Sequence, residues 1–192
     1  KTLGAGADGF RFVAGGDMGT SSSLPVLLHQ SAQQNPDFAM IGGDVAYENG
    51  DILAYYKWED WLGYWQKEMV TPSGFTIPFI MAIGNHETNA KKGGPLERAP
   101  FYFSLFPQND QPNPYFKRNI GSDTVILALD SGHIVPHEGP QSEWLASALA
   151  DAQTKKNRFA IYHVPLYPSH REYEGALSKA GRKAWLPLFD AF

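Results

Sequence analysis

The chain contains no cysteine among its 192 residues. This absence excludes disulfide bridges, zinc–thiolate sites and cysteine nucleophiles. Basic residues are not in excess either. The chain has 16 Lys and Arg and 20 Asp and Glu, which gives a net charge of −4. Nucleic-acid binding is therefore not expected. An acidic protein can still bind an anionic substrate if bound cations dominate the local field.

Long apolar segments are missing as well. No run of 18 or more apolar residues occurs, so we expect no membrane partner. Residues 1–6 lack the apolar core of a signal peptide. The chain is instead rich in aromatic residues (14%), glycine (19) and proline (14). This composition is typical of a loop-rich α/β enzyme, and the length indicates one domain.

Strand-like and helix-like segments alternate along the chain. Apolar runs predict strands at residues 10–14, 38–41, 78–83, 115–119, 124–129 and 159–162. Periodicity and capping residues predict helices at residues 21–34, 52–70, 143–152 and 176–192, the last of them broken by Pro187. Residues 87–113 show little periodicity and are expected to form an active-site loop. The alternation predicts a layered α/β fold with central β-sheets flanked by helices.

Side chains that can bind metals follow four of these strands directly. They are Asp17, Asp44 with Tyr47, Asn85 with His86, and His163. Ligands in α/β sheets gather beyond the carboxyl ends of the strands, so the sequence predicts a metal site at that edge. A carboxylate can bridge two metal ions, and a phenol can bind a strongly acidic one. Hard oxygen ligands combined with imidazole suit Fe, Mn or Zn.

Two metal ions about 3.5–4 Å apart can bind a phosphate and polarise its P–O bonds. They also lower the pKa of a bound water, which produces a hydroxide nucleophile. A nearby imidazolium can donate a proton to the leaving alkoxide. The residue types alone are therefore compatible with phosphoester hydrolysis.

Each residue taken singly also has a structural interpretation. Asp17 and Asp44 could cap helices, and Tyr47 could be an aromatic residue of the core or rim. Asn85 with His86 could form a simple turn, and His163 could be a hydrogen-bonded core histidine. The combination of four such segments, each at a predicted strand end, favours the metal-ligand interpretation.

Four segments that occur in one order along the chain are Asp17-Met18-Gly19, Gly43-Asp44-Val45-Ala46-Tyr47, Gly84-Asn85-His86-Glu87 and Ala160-Ile161-Tyr162-His163. They resemble four of the five motif blocks of the purple acid phosphatases, within the calcineurin-like metallophosphoesterases. Most calcineurin-like enzymes have Asp-x-His in the first block, whereas this chain has Asp-x-Gly. The purple acid phosphatases compensate with the tyrosine of Gly-Asp-x-x-Tyr, here Tyr47. The resemblance extends to residues 139–149 and 163–167.

The resemblance implies a ligand set for two metal ions. Asp17 and Tyr47 would bind the first metal, an Fe(III) whose charge transfer with the phenolate gives the family its colour. Asp44 would bridge both metals. Asn85 and His163 would bind the second metal, a divalent Fe, Zn or Mn.

The resemblance also implies residues that act on the substrate. His86 would hold the phosphate or stabilise the leaving group. His170 would either match an outer-sphere histidine that assists leaving-group protonation or be a solvent-exposed loop residue. Glu87 is expected to support the site or to begin a helix rather than bind metal. His133, which follows a predicted strand, is a weaker candidate for the site lining.

The fifth motif block of the family, Gly-His-x-His, does not occur in the chain. In the family that block supplies one imidazole to each metal. We therefore expect residues 1–192 to be a metallophosphoesterase catalytic domain that is incomplete at its C-terminal end, with weakened metal binding and reduced or lost activity.

The function that these expectations favour is a dinuclear-metal phosphomonoester hydrolase in which a metal-bound hydroxide attacks the phosphorus of a small phosphorylated substrate. One alternative is a phosphodiesterase on the same scaffold. A second alternative, from the missing motif, is a non-catalytic metal- or phosphate-binding domain. The resemblance implies a secreted or extracytoplasmic location, and the oligomeric state stays open.

Overall fold

The computed structural model describes residues 9–89, 93–106 and 112–192. Two predictions fall wholly or partly outside these residues. One concerns residues 1–6, and the other is the loop at residues 87–113, of which residues 90–92 and 107–111 are not described. None of the helices in the described ranges is both long and apolar enough to cross a membrane.

Two three-stranded sheets form the centre of the fold. The first is parallel, in the order β1-β2-β3, and consists of β1 (Phe12–Gly15), β2 (Phe38–Ile41) and β3 (Phe79–Met81). The second has the order β4-β5-β6 and consists of β4 (Phe116–Ile120), β5 (Thr124–Ala128) and β6 (Asn157–Ile161). Strand β5 pairs antiparallel with β4 and parallel with β6. The parallel strands bring their carboxyl ends to one edge of each sheet.

The described residues form six α-helices, most of which pack against the two sheets. They are α1 (Leu24–Ala32), α2 (Tyr56–Glu68), α3 (Pro95–Arg98), α4 (Pro100–Leu105), α5 (Pro140–Asp151) and α6 (Ala176–Ala191). Helices α1, α2 and α4 share one apolar core with the first sheet, and α5 and α6 share another with the second sheet. A third core, which includes Phe38, Met40 and Ile126, lies between the sheets. The predicted layered α/β fold is confirmed.

The prediction of one helix over residues 52–70 is wrong at its start. Residues Ile52–Ala54 form a separate 3₁₀ turn, and α2 begins only at Tyr56. The carboxylate of Asp51 accepts a hydrogen bond from the N–H of Leu53, which stabilises the separate turn. The apolar spacing of the tryptophans indicated the helix correctly but carried no information about this local capping.

Pro187 does not break the last helix, contrary to the prediction. Helix α6 continues through it to Ala191. Pro187 removes the hydrogen bond to the carbonyl of Lys183 and crowds that carbonyl, but both residues are exposed, so water can bind the freed carbonyl. The fully buried Trp185 keeps this part of the helix on the core.

The predicted loop at residues 87–113 contains two short helices, α3 and α4. Tertiary packing stabilises them despite the weak periodicity. Tyr102 is fully buried and its hydroxyl donates a hydrogen bond to the carbonyl of Met81, at the end of β3. The segment is therefore attached to the core beside the carboxyl end of the first sheet.

Replacement of Trp61 by alanine should strongly destabilise the protein. Trp61 is fully buried and its ring lies 5.1 Å from that of Trp65 and 5.5 Å from that of Phe79. We expect W61A to lower the free energy of unfolding by about 3–5 kcal/mol, measured by urea denaturation. Leu53 is 77% exposed, so L53A should change stability by less than about 0.5 kcal/mol. Equal losses in both variants would contradict this packing.

Candidate metal centre

The loops after β1 and β2 continue to pair beyond the ends of the strands. The N–H of Asp17 donates to the carbonyl of Gly43 at 3.1 Å, and the N–H of Met18 donates to the carbonyl of Asp44 at 2.8 Å. The parallel register of the two strands thus extends to the residues that carry the carboxylates. Asp17 and Asp44 are consequently neighbours across the sheet edge.

The loops after β2 and β3 approach so closely that only glycine fits between them. A Cβ atom on Gly43, whose φ is +94°, would lie 2.5 Å from the nitrogen of Gly84. A Cβ atom on Gly84 would lie 2.2 Å from Oδ1 of Asp44. The glycines that precede Asp44 and Asn85 in the sequence therefore have a steric reason.

A buried carboxylate joins these two loops. Glu87 is fully buried and accepts hydrogen bonds from the N–H groups of Asp44 (2.7 Å), Val45 (2.9 Å) and Gly84 (2.8 Å). Burial raises the pKa of Glu87 to about 7, although the N–H groups of Val45 and Asp44 favour the ionised form. These bonds fix the backbone of Asp44, which is consistent with the supporting role expected for Glu87.

Backbone strain is concentrated at this edge. The described residues include five non-glycine residues with positive φ. Four of them belong to the loops after β1 and β2, namely Asp17 (51°), Asp44 (57°), Tyr47 (61°) and Asn49 (57°). The left-handed conformation is unfavourable for residues with a side chain, and it persists only where the surrounding structure imposes it. Such clustering is a feature of functional sites.

The side chains of Asp17, Asp44 and His163 converge at this edge. Each offers one ligand atom, and these atoms all lie within 4.8 Å of one another. Nε2 of His163 lies 3.2 Å from Oδ2 of Asp44 and 3.1 Å from Oδ1 of Asn85. The hydroxyl of Tyr47 lies 3.5 Å from Oδ1 of Asp17. The structure thus brings together all five residues expected to bind metal, here called the metal cluster.

The ring of His163 is oriented by backbone contacts. Its Nδ1 lies 2.9 Å from the carbonyl of Gly42. A carbonyl only accepts hydrogen bonds, so Nδ1 carries a proton, and Nε2 faces the oxygens of Asp44 and Asn85. An imidazole nitrogen that faces two oxygen acceptors carries a proton, which a metal ion can replace. The donor set therefore fits a metal ion, and the Gly42 contact is the outer hydrogen bond usual for a metal-binding histidine.

The charges of the metal cluster lead to the same conclusion. Burial raises the pKa of Asp44, but the hydrogen bonds from His163 and His86 and the charges of these two histidines together outweigh it, so the pKa is below its ordinary value. Burial lowers the pKa of His163, but the hydrogen bond and charge of Asp44 place it above its ordinary value. Burial and the charges of Asp17 and Asp44 raise the pKa of Tyr47 to about 12. The raised pKa values of His163 and Tyr47 both indicate a negative potential at this point, which a bound cation would neutralise.

Of the two residues expected to act on substrate, only His86 lies at the metal cluster. Its N–H donates to Oδ1 of Asp44 at 2.8 Å, and its Nε2 lies 4.0 Å from Oδ2 of Asp44. Its ring stacks on that of Tyr47, with centroids 4.2 Å apart. His170 is exposed in the segment between β6 and α6, outside this group of side chains.

Two supporting residues had no recognisable signal in the sequence. The hydroxyl of Ser131 accepts hydrogen bonds from the N–H groups of His163 (3.0 Å) and Val164 (2.9 Å). The side-chain oxygen of Asn49 contacts Nδ1 of His86. Neither residue belongs to a motif, and each depends on a contact between segments that are distant along the chain. The weaker candidate His133 packs its ring 5.4 Å from the ring of His163.

The fold and this site define a protein with metal-binding side chains at the carboxyl edge of a layered α/β structure. The family model described as calcineurin-like phosphoesterase matches residues 10–191. The match covers nearly the whole chain, and the chain belongs to this family. Membership supports metal-dependent phosphoester hydrolysis. A comparison with curated proteins found no match.

Replacement of Gly84 by alanine should disrupt the metal centre, because the new Cβ would overlap the Asp44 carboxylate. We expect metal affinity to fall by about 10–100-fold, as when a residue that orients a ligand is lost. Isothermal titration with Zn²⁺ measures this change.

Gly63 provides the matched control for this substitution. It is exposed in α2, and a Cβ there would have no heavy atom within 4 Å. G63A should leave metal affinity unchanged and raise stability by up to about 1 kcal/mol. If G84A bound Zn²⁺ as tightly as G63A, the close approach of the two loops would not control the site.

Proposed function

We propose that this chain is the catalytic domain of a dinuclear-metal phosphomonoester hydrolase of the purple acid phosphatase type. The observation that carries the proposal is the phenol of Tyr47, which lies beside Asp17 in the same cluster as Asp44 and His163. In this assignment Asp17 and Tyr47 would hold Fe(III), and the Asp44 carboxylate would be shared by both metals. Asn85 and His163 would hold a divalent Fe, Zn or Mn.

The surroundings of Tyr47 support this subgroup over other calcineurin-like enzymes. Gly19 occupies the position where most calcineurin-like enzymes are expected to have a metal-binding histidine. Its φ is +62°, and a Cβ there would lie 4.0 Å from Cδ2 of Tyr47. A histidine side chain at position 19 would extend towards the space that the Tyr47 ring occupies. The glycine and the tyrosine are therefore complementary, with the phenol replacing the imidazole.

The elevated pKa of Tyr47 favours a strongly acidic cation as the first metal. A phenol with a pKa of about 12 is protonated at neutral pH. Conversion to a phenolate ligand therefore needs a strongly acidic cation, and a trivalent ion such as Fe(III) meets this requirement better than a divalent one. When bound, the two metal ions supply positive charge that polarises phosphoryl oxygens and lowers the pKa of water.

His86 is positioned to contact the phosphoryl group. Stacking on Tyr47 and the contact with Asn49 fix the plane of its ring. Because the amide oxygen of Asn49 accepts a hydrogen bond from Nδ1, Nε2 is directed towards Asp44 and the metal cluster. We assign His86 the role of holding a phosphoryl oxygen and stabilising the leaving group. His170 is exposed on the segment after His163, and we assign it leaving-group protonation from that side.

The test is hydrolysis of p-nitrophenyl phosphate by the chain supplied with excess Fe(III) and Zn²⁺. We expect turnover of this monoester to exceed that of bis(p-nitrophenyl) phosphate. Asp44→Asn should lower the monoester rate by more than about 100-fold. The substitution removes a carboxylate that would bind metal, and this costs more activity than the loss of a residue that only orients a metal ligand. Leu53→Ala, in an exposed turn, should leave the rate unchanged. Faster diester turnover would favour a phosphodiesterase, and metal binding without turnover of either ester would favour a binding domain.

A further inference from the structure

Two tyrosines on the segment between β6 and α6 expose their rings around an arginine. Tyr167 and Tyr173 are 55% and 53% exposed, with ring centroids 6.1 Å apart and planes tilted by 42°. The guanidinium of Arg182 lies 4.1 Å from the centroid of Tyr173 and 5.7 Å from that of Tyr167. We call these two rings the tyrosine pair. Large aromatic surfaces exposed together are a feature of binding sites more than of inert surfaces.

Arg182 makes the tyrosine pair rigid. The arginine side chain is only 12% exposed, and its Nη1 donates a hydrogen bond to the carbonyl of Leu166 at 2.7 Å. Its Nη2 donates to Glu174 at 3.2 Å. Arg182 therefore contacts both ends of residues 167–173 as well as both rings. Binding on such a surface requires little loss of side-chain entropy.

The start of this segment is also attached to α6. The hydroxyl of Ser178 donates to the carbonyl of Pro165 at 2.8 Å, and the side chain of Leu166 is buried in the core. Residues 163–167 thus run directly from the metal cluster to the tyrosine pair along a fixed backbone. Four residues span at most about 14 Å, so the Cα of Tyr167 is within that distance of the Cα of His163. This separation suits the non-reacting part of an ester whose phosphate lies at the metal cluster.

His170 is three residues from each tyrosine, at the middle of the segment that Arg182 holds. The residue assigned to leaving-group protonation and the tyrosine pair therefore belong to one short segment. The Cα of His170 is within about 11 Å of the Cα of each tyrosine, because three residues span no more than that, so a leaving group that reaches His170 can also reach the two rings. The rings are too close together to enclose a planar group, which would need about 7 Å between them for contact on both faces. A planar group would instead stack on the outward face of one ring and contact the edge of the other.

We propose that the tyrosine pair, held by Arg182, is the leaving-group subsite and selects phosphate esters whose leaving group is a planar aromatic ring. This inference rests on the proposed phosphomonoesterase function, because it places the phosphate at the metal cluster. It assigns substrate selectivity to Tyr167 and Tyr173 and a positioning role to Arg182.

Non-hydrolysable ligands test the subsite separately from catalysis. Phenylphosphonate and methylphosphonate carry the same charged group and differ in the aromatic ring. Titrated into the metal-loaded chain, phenylphosphonate should bind about tenfold more tightly than methylphosphonate, as expected for one aromatic stacking contact. Tyr173→Leu and Tyr167→Leu should each reduce this preference while methylphosphonate affinity stays the same.

Phe75→Leu is the matched control. Phe75 is an equally exposed aromatic residue (58%) that precedes β3, at the opposite end of the strand from the metal cluster. F75L should retain the full preference for phenylphosphonate. Arg182→Lys keeps the charge but not the planar contacts, so it should reduce the preference as the tyrosine variants do.

The outcomes distinguish failure of the aromatic subsite from failure of the phosphate site. Equal affinity for both phosphonates, or an undiminished preference in Y167L and Y173L, would overturn the subsite and leave the proposed function intact. Absence of binding by either phosphonate would overturn the phosphate site itself and the subsite with it. Both tyrosines are exposed, and an unchanged circular dichroism spectrum confirms that the variants fold.

Discussion

The candidate metal centre depends on the close contact between the loops that follow β2 and β3. Gly43 and Gly84 allow the two backbones to approach within a distance that no side chain permits, and the buried carboxylate of Glu87 bridges them through three backbone N–H groups. The position of Asp44 follows from this contact, because its backbone is bound by Glu87 and its carboxylate accepts the N–H of His86. The loop after β1 then follows the loop after β2 by continued backbone pairing.

This arrangement concentrates unfavourable features in a small volume. Strained backbone at Asp17, Asp44 and Tyr47 coincides with two carboxylates, a phenol and an imidazole that lie close together. Each feature lowers stability when considered alone. A site of this kind persists when the surrounding fold supplies rigid support, and the two sheets and their helical layers do so here. The same close approach of side chains positions the ligands before a cation of suitable charge binds.

The sequence was most informative where chemistry and local pattern coincide. The apolar run at residues 38–41 coincides with β2, and the convergence of Asp17 and Asp44 follows from the rule that parallel strands end at one edge. Contacts between distant segments could not be predicted. Ser131 supports His163 across 32 residues, and its own surroundings in the sequence contain no motif.

The errors in the secondary-structure predictions have the same origin. Residues 87–113 lack periodicity, yet α3 and α4 form there because Tyr102 is buried against the end of β3. Pro187 is tolerated in α6 because the adjacent Trp185 is fixed in the core. In these places tertiary packing outweighs local helix propensity, and this packing cannot be predicted from a single sequence. The tyrosine pair likewise depends on Arg182, which lies on a helix that follows both rings in the chain.

The central claim is that the phenol of Tyr47 and the adjacent carboxylates form a metal site that takes Fe(III). An absorption spectrum of the chain loaded with Fe(III) and Zn²⁺, with metal analysis and Tyr47→Phe as reference, tests it directly. The account predicts a visible phenolate-to-iron charge-transfer band and two metals per chain in the wild type, with the band absent in Y47F. A wild-type chain that binds both metals without colour, or a band that persists in Y47F, would contradict it.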